Sequence, residues 1–260
     1  MSLHDDYART TPYELVFQSR AKAEAFVSQV EEESSGRGAD AEDPHAFVTM
    51  GAVGDFVRGL QGPDAQPGSV HQYGALAFHG LHFTRADCPL FLLSTHVARY
   101  LVEGVPGSVT DPPTPAGYLQ LPQHLFWADG GGDAPESVDG IFWTVTKRGV
   151  LHTLIVSGMR PDRPGLVVVP LPEAPIAEAS QWIDAQPREE LVDFATLMPG
   201  AELDHLYSFS TAGEVLKLLS RFFAYADAVP NGLTESVPGS ADPESPEASR
   251  LSFVRVALDG

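Results

Sequence analysis

Hydrophobic and polar positions divide the chain into a first part with helical periodicity, a strand-rich middle and a mixed remainder. Near the start, Thr11-Pro12-Tyr13-Glu14 has capping-box spacing with proline at the first helical position, and from Ser19 onward Ala23, Phe26, Val27 and Val30 recur at helical intervals. A helix is predicted there, fading into the exposed loop EEESSGRGADAED. Asp43-Pro44 repeats the start signal, and Phe47, Met50, Val53, Val57 and Leu60 form one apolar stripe. Gly51 and Gly54 lie within this second helix at a cost of about 1 kcal/mol each relative to alanine, so close approach of a neighbouring helix is the expected compensation. GPDAQPGS, residues 62 to 69, ends it.

From Val70 to about Thr84 the chain is apolar nearly all round. Periodicity does not settle such a run: it reads as a buried helix, with a buried strand over Ala75 to Phe83 as the alternative. PLFLLS follows as a short buried segment, and Thr95 to Glu103 reads as a helix capped by Ser94 or Thr95 and stopped by Gly104.

Past VPGSVTDPPTPAG the pattern changes to β-branched and aromatic runs, YLQLPQHLFWA, GIFWTVT, VLHTLIVSG and GLVVVPL, separated by turn signals. The short Lys147-Arg148-Gly149 link predicts a hairpin between the second and third strands, and Pro122 places the first at an edge or bulge. Tyr118 to Leu171 is therefore read as a four-stranded antiparallel meander. EELVDFATLM is a further short helix. Thr211 and Glu214 again have capping-box spacing ahead of an apolar stripe through Val215, Leu218, Leu219, Phe222 and Ala226. NGLTESVPGSADPESPEAS reads as a flexible acidic linker, and LSFVRVAL alternates as a strand that could join the sheet.

Together these elements predict an α+β fold in which N-terminal helices and one late helix pack on an antiparallel β-meander. The expected organisation is a single globular domain over residues 1 to 260, with a helical part at about 11 to 104, a sheet part at about 116 to 171, a C-terminal helix at about 211 to 227 and the linker at about 229 to 249.

Charge narrows the partners. Against 16 basic residues stand 35 acidic ones, a formal net charge of −19, which disfavours nucleic-acid phosphates and anionic membranes. No run approaches the roughly 20 apolar residues of a membrane helix, and the start lacks a secretory pattern, so a cytoplasmic location is expected. Cys88 is the only cysteine, which excludes an intrachain disulfide and any multi-cysteine zinc site.

Candidate chemistry is sparse. In FHGLHFTRADCPLF, His79 and His82 share a helical face, and His71 precedes His82 by almost three turns. Neutral imidazoles so placed could hold a divalent transition metal if a carboxylate completed the shell, provided the segment is helical. Cys88 with His96, and Asp204-His205 with Ser208 and Ser210, have catalytic residue types but no accompanying signature. Gly-x-Ser-x-Gly, Walker A and Gly-x-Gly-x-x-Gly after a strand are all absent, so no cofactor is expected. Phe126, Trp127, Phe142 and Trp143 form two adjacent aromatic pairs, each putting one ring on either face of a strand. If helices cover only one face, the other presents an aromatic surface to another protein or to a second copy of this chain.

Three functions remain open: a non-catalytic cytoplasmic interaction or regulatory protein, a metal-dependent hydrolase built on His71, His79 and His82, and a small-molecule binding module.

Overall fold

The computed structural model describes residues 20–35, 48–64, 66–86, 89–93, 97–98, 100–101, 111–121, 127–128, 136–146, 148–160, 163–170, 174–175, 206–228, 235–237 and 253–256. Three helices come first: α1 (Arg20–Ser35), α2 (Met50–Gln61) and α3 (Pro67–Arg85). The 70 to 84 stretch is thus helical, and the strand alternative is excluded. α2 starts later than its stripe suggests, because Thr49 holds an extended backbone and its hydroxyl accepts from the Ala52 amide at 3.3 Å. Gly62 closes α2 with a φ of 86°, a value that suits glycine.

Helix α2 buries Val53, Phe56 and Val57 against Val27 and Val30 of α1 and Ala77, Phe78 and Leu81 of α3. Of Gly51 and Gly54, where a close neighbour was expected, only Gly54 lies against α3, and a Cβ on Gly54 itself would meet nothing within 4 Å, so the approach depends on Gly74 of α3. A Cβ at Gly74 of α3 would sit 3.3 Å from the Gly54 α-carbon, while at Gly51 the nearest atom to an added Cβ is the Thr49 hydroxyl at 4.0 Å. Val97, Ala98, Tyr100 and Leu101 are helical, within the helix predicted there.

The strands are β1 (Leu90–Leu93), β2 (Ala116–Gln120), β3 (Trp127–Ala128), β4 (Glu136–Val145), β5 (Val150–Arg160), β6 (Arg163–Pro170), β7 (Ala174–Pro175), β8 (Glu235–Val237) and β9 (Phe253–Val256). Their order is β6-β5-β4-β2-β1-β9-β8, with β3 on β4 and β7 on β5. The meander is present and antiparallel from β2 through β4 and β5 to β6. The sheet as a whole is mixed, however, because β1 lies between β2 and β9 and runs parallel to both. The prediction of a purely antiparallel sheet fails here: LFLL is short and wholly apolar, which suits a strand buried on both faces, but its pairing partners cannot be read from its composition. β2 ends at Gln120, two residues before Pro122, and pairing to β4 resumes at Trp127.

Hairpin β4–β5 turns where Lys147-Arg148-Gly149 indicated. The Thr146 amide donates to Val150 O at 2.9 Å, the Gly149 amide donates to Thr146 O at 2.9 Å, and Gly149 takes a φ of 73°.

The late helix, α4 (Leu206–Ala228), begins five residues ahead of Thr211, so the Thr211/Glu214 spacing lies inside the helix and does not cap it. Part of the presumed linker is strand: β8 pairs antiparallel with β9, and β9 joins the sheet as the alternation of LSFVRVAL suggested. The expectations at residues 11 to 19, 36 to 47, 94 to 96 and 189 to 198 lie outside the described residues.

Helices cover both faces of the sheet. Leu119, Ile141, Trp143 and Ile155 point to one face, where they meet Leu218, Leu219, Phe222 and Phe223 of α4 together with Val97, Ala98 and Leu101. Arg221 of α4 donates to the Leu101 carbonyl at 2.8 Å and ties these two segments together. On the opposite face Phe142 packs against Tyr118, His79 and Phe83, with ring centroids 4.4, 6.0 and 5.6 Å away.

Trp143 sits at the tightest point. Its indole N–H donates to the Thr114 carbonyl at 3.0 Å, and its ring lies where a Cβ of Gly117, its partner in the β2–β4 register, would be. Gly117→Ala is expected to destabilise the protein by about 1–3 kcal/mol through overpacking. Gly59→Ala, in α2 with open space around the added methyl, should be neutral or stabilising by up to about 1 kcal/mol. Urea unfolding followed by tryptophan fluorescence checks both.

Candidate functional site

The two aromatic pairs and the histidine group were the candidate sites, and the sheet answers for one of the pairs, Phe142 and Trp143. Phe142 and Trp143 are 1% and 0% exposed. Because α4 covers the face that the α1–α3 layer leaves free, neither ring is available as a partner surface. Phe126 lies outside the described residues, and of Trp127 only the backbone, in β3, is described.

The histidines separate. His71 is exposed in the second turn of α3, whereas His79 and His82 are buried two and three turns further on. Among the described residues no three His, Cys, Asp or Glu side chains converge as metal ligands, so His71, His79 and His82 do not form the centre a metal-dependent hydrolase requires. Cys88 and His96 lie outside the described residues, as do Asp204 and His205.

What the structure assembles instead is a different trio. His152 of β5 joins His79 and His82 on the α3 face of the sheet, and the three imidazoles surround the Phe78 ring at centroid distances of 5.1 Å for His79, 4.8 Å for His82 and 5.1 Å for His152. His79 Nδ1 shares a hydrogen bond with Thr144 Oγ1 at 3.0 Å, which links α3 to the central strand β4. His82 Nε2–H donates to the Val48 carbonyl at 3.0 Å, which fixes the entry into α2. His79 Nε2 has no hydrogen-bond partner among the described residues. Sequence reasoning passed over His152; the signal was a single histidine in the otherwise apolar strand VLHTLIVSG.

This environment keeps His79 and His82 neutral. Burial pushes His79 well below the ordinary histidine range, and its neighbours His152 and His82 add to the effect. Burial likewise lowers His82 to about 4, against a smaller opposing effect of the Val48 hydrogen bond, with Arg85 and His152 pushing further down. The neutral His79 thus links α3 to the sheet, and the neutral His82 links α3 to the start of α2.

A cleft of about 500 Å³ runs between α2 and the start of α3, lined by Met50, Gly54, Asp55, Arg58, Val70 and His71 among others. Arg58 and Asp55, three residues apart on the α2 side, pair with each other at 2.9 Å, and both are more than half exposed. Among the described residues no helix is long and apolar enough to cross a membrane. No family model, curated protein or solved structure matches the chain.

Two outcomes follow from the buried imidazoles. Thr144→Val removes the partner of His79 Nδ1 at nearly constant volume and should cost about 1–3 kcal/mol, measured by urea unfolding at pH 7. The second concerns pH. The folded-state values of His79 and His82 lie below the unfolded value of 6.5, so the unfolded chain binds more protons between them. The stability they contribute is complete above pH 6.5 and is lost as pH falls below it, toward about 4 for His82. Each imidazole held neutral in that window costs up to about 1.4 kcal/mol per pH unit. His82→Gln keeps a donor for the Val48 carbonyl and should flatten the fall in stability between pH 6.5 and 5 by that slope.

Proposed function

We propose that this protein is a non-catalytic interaction or regulatory protein of the cytoplasm, acting on another protein or on a second copy of itself. The observation that carries this reading is the contrast between its interior and its helical surface. His79, His82, His152, Phe142 and Trp143 are buried in the interior, whereas Leu60 of α2 and Tyr73 of α3 stand 63% and 55% exposed on adjacent helices. Large apolar side chains in water are what a partner surface offers, and tyrosine is enriched at binding hot spots. The net charge of −19 supports a partner with a basic face and speaks against nucleic acid or an anionic membrane.

A second reading, a small-molecule binding module, is supported by the cleft between α2 and α3, where apolar Met50 and Val70 meet polar Asp55, Arg58 and His71.

The double variant Leu60→Glu/Tyr73→Glu changes only exposed positions and should leave the fold intact by circular dichroism. With the full chain, a stoichiometric complex or a homodimer detected by sedimentation should weaken at least about tenfold in the variant, a loss of roughly 1.4 kcal/mol. A monomer at all concentrations with no complex altered by the substitutions would overturn the interaction reading. Saturable ligand binding abolished by Gly54→Leu would favour the cleft.

A further inference from the structure

We propose that His79, His82 and His152 form an acid-operated latch that holds the α1–α3 layer on the sheet and releases it on protonation, while the α4 layer stays packed. The inference goes beyond the interaction reading and does not depend on it.

Position is the first support. The buried histidines among the described residues are these three, and all lie on the α3 face. In β5, His152 and Leu154 face α3, whereas Leu151 and Ile155 belong to the core that α4 covers. That opposite core is built of apolar and aromatic side chains, which acid does not charge.

The bonding is the second. The His79–Thr144 and His82–Val48 hydrogen bonds join α3 to β4 and to the start of α2, so displacing these rings loosens the whole layer. Protonated His79 would carry an N–H at Nε2 where no acceptor lies among the described residues. A charge on any one ring also meets two neighbouring imidazoles around a single phenyl group, so the cluster resists its first proton and is disrupted by the next.

Among the described residues, the charges acting on His79 and His82 do not relieve this. α3 packs on α1, α2, β2, β4, β5 and β6. Its own Arg85 opposes protonation of His82 and engages Glu31 of α1 at 2.6 Å. On α2, Asp55 and Arg58 pair with each other at the open cleft. β2 contributes Tyr118, β5 contributes His152, and β4 carries the buried Asp139 at its bulge. The side chains of β6 lie outside the described residues. The charged neighbours that move His79 and His82 are all cationic when protonated.

Hydrogen exchange on the full chain, read by mass spectrometry with labelling times scaled for intrinsic rates, tests the latch. Between pH 7 and about pH 4.5, peptides covering 48–61 and 70–85 should lose protection at least about tenfold, and those covering 218–226 less than about threefold. His152→Gln and His82→Gln should each shift the midpoint to lower pH by at least about half a unit. Simultaneous loss in both layers, no loss in either, or a midpoint unmoved by both variants would overturn the proposal; the last result would assign the effect to groups other than these imidazoles. Should the variants not fold, imidazole NMR titration of the wild-type chain decides. Three rings neutral at pH 7 that titrate together with the loss of protection support the latch, and rings titrating independently near 6.5 refute it.

Discussion

The alternation of β4 is the constraint from which the rest follows. Ile141, Phe142 and Trp143 lie in the middle of the sheet between β2 and β5, and successive side chains of a strand point to opposite faces. Phe142 and Trp143 therefore demand cover on both sides. Exposing either ring would forfeit several kcal/mol of burial, a large part of a domain's net stability. The chain meets this demand with α3 on one face and α4 on the other. Gly117 is the corollary: the Trp143 ring needs a neighbouring strand position without a side chain, and β2 supplies it.

The two layers differ in character. On the α4 side the contacts are aliphatic and aromatic, with Trp143 between Phe91, Phe222 and Phe223. On the α3 side imidazoles, a tyrosine and a threonine are interleaved with the apolar residues, and hydrogen bonds give that interface direction as well as area. Polar cross-links of this kind fix how a helix sits on a sheet more sharply than apolar contact does, and they make the interface sensitive to the protonation of its members.

Much of this was legible in the residues. The helical periodicities of α1 and α2, the stripe from Leu218 to Ala226, the hairpin at Gly149 and the β-branched runs of the meander are local signals, and local signals survive folding. Less legible was what depends on distant partners. Leu90–Leu93 is too short to show whether it pairs parallel or antiparallel, and neither its composition nor that of Phe253–Val256 names the other as a neighbour. The Phe142–Trp143 surface and the grouping of the three histidines failed for the same reason. Adjacent aromatics in β4 signal that both faces are apolar, but whether a second layer covers the far face is decided by α4, some 70 residues later. Spacing along one helix grouped His71 with His79 and His82, whereas the fold put His152 beside them from a strand across the interface.

The parallel pairing of β1 with β9 has a consequence for how the chain reaches this structure. Leu90–Leu93 and Phe253–Val256 are joined through more than 150 intervening residues, so the β2-β1-β9-β8 side of the sheet is assembled by a contact of very long range. On a ribosome the meander from β2 to β6 can form as soon as it emerges, while β1 keeps one row of unpaired amides and carbonyls until residues 253–256 arrive. During that interval the growing chain carries an apolar strand edge able to recruit the wrong neighbour, and β9 acts as the stopper that removes it.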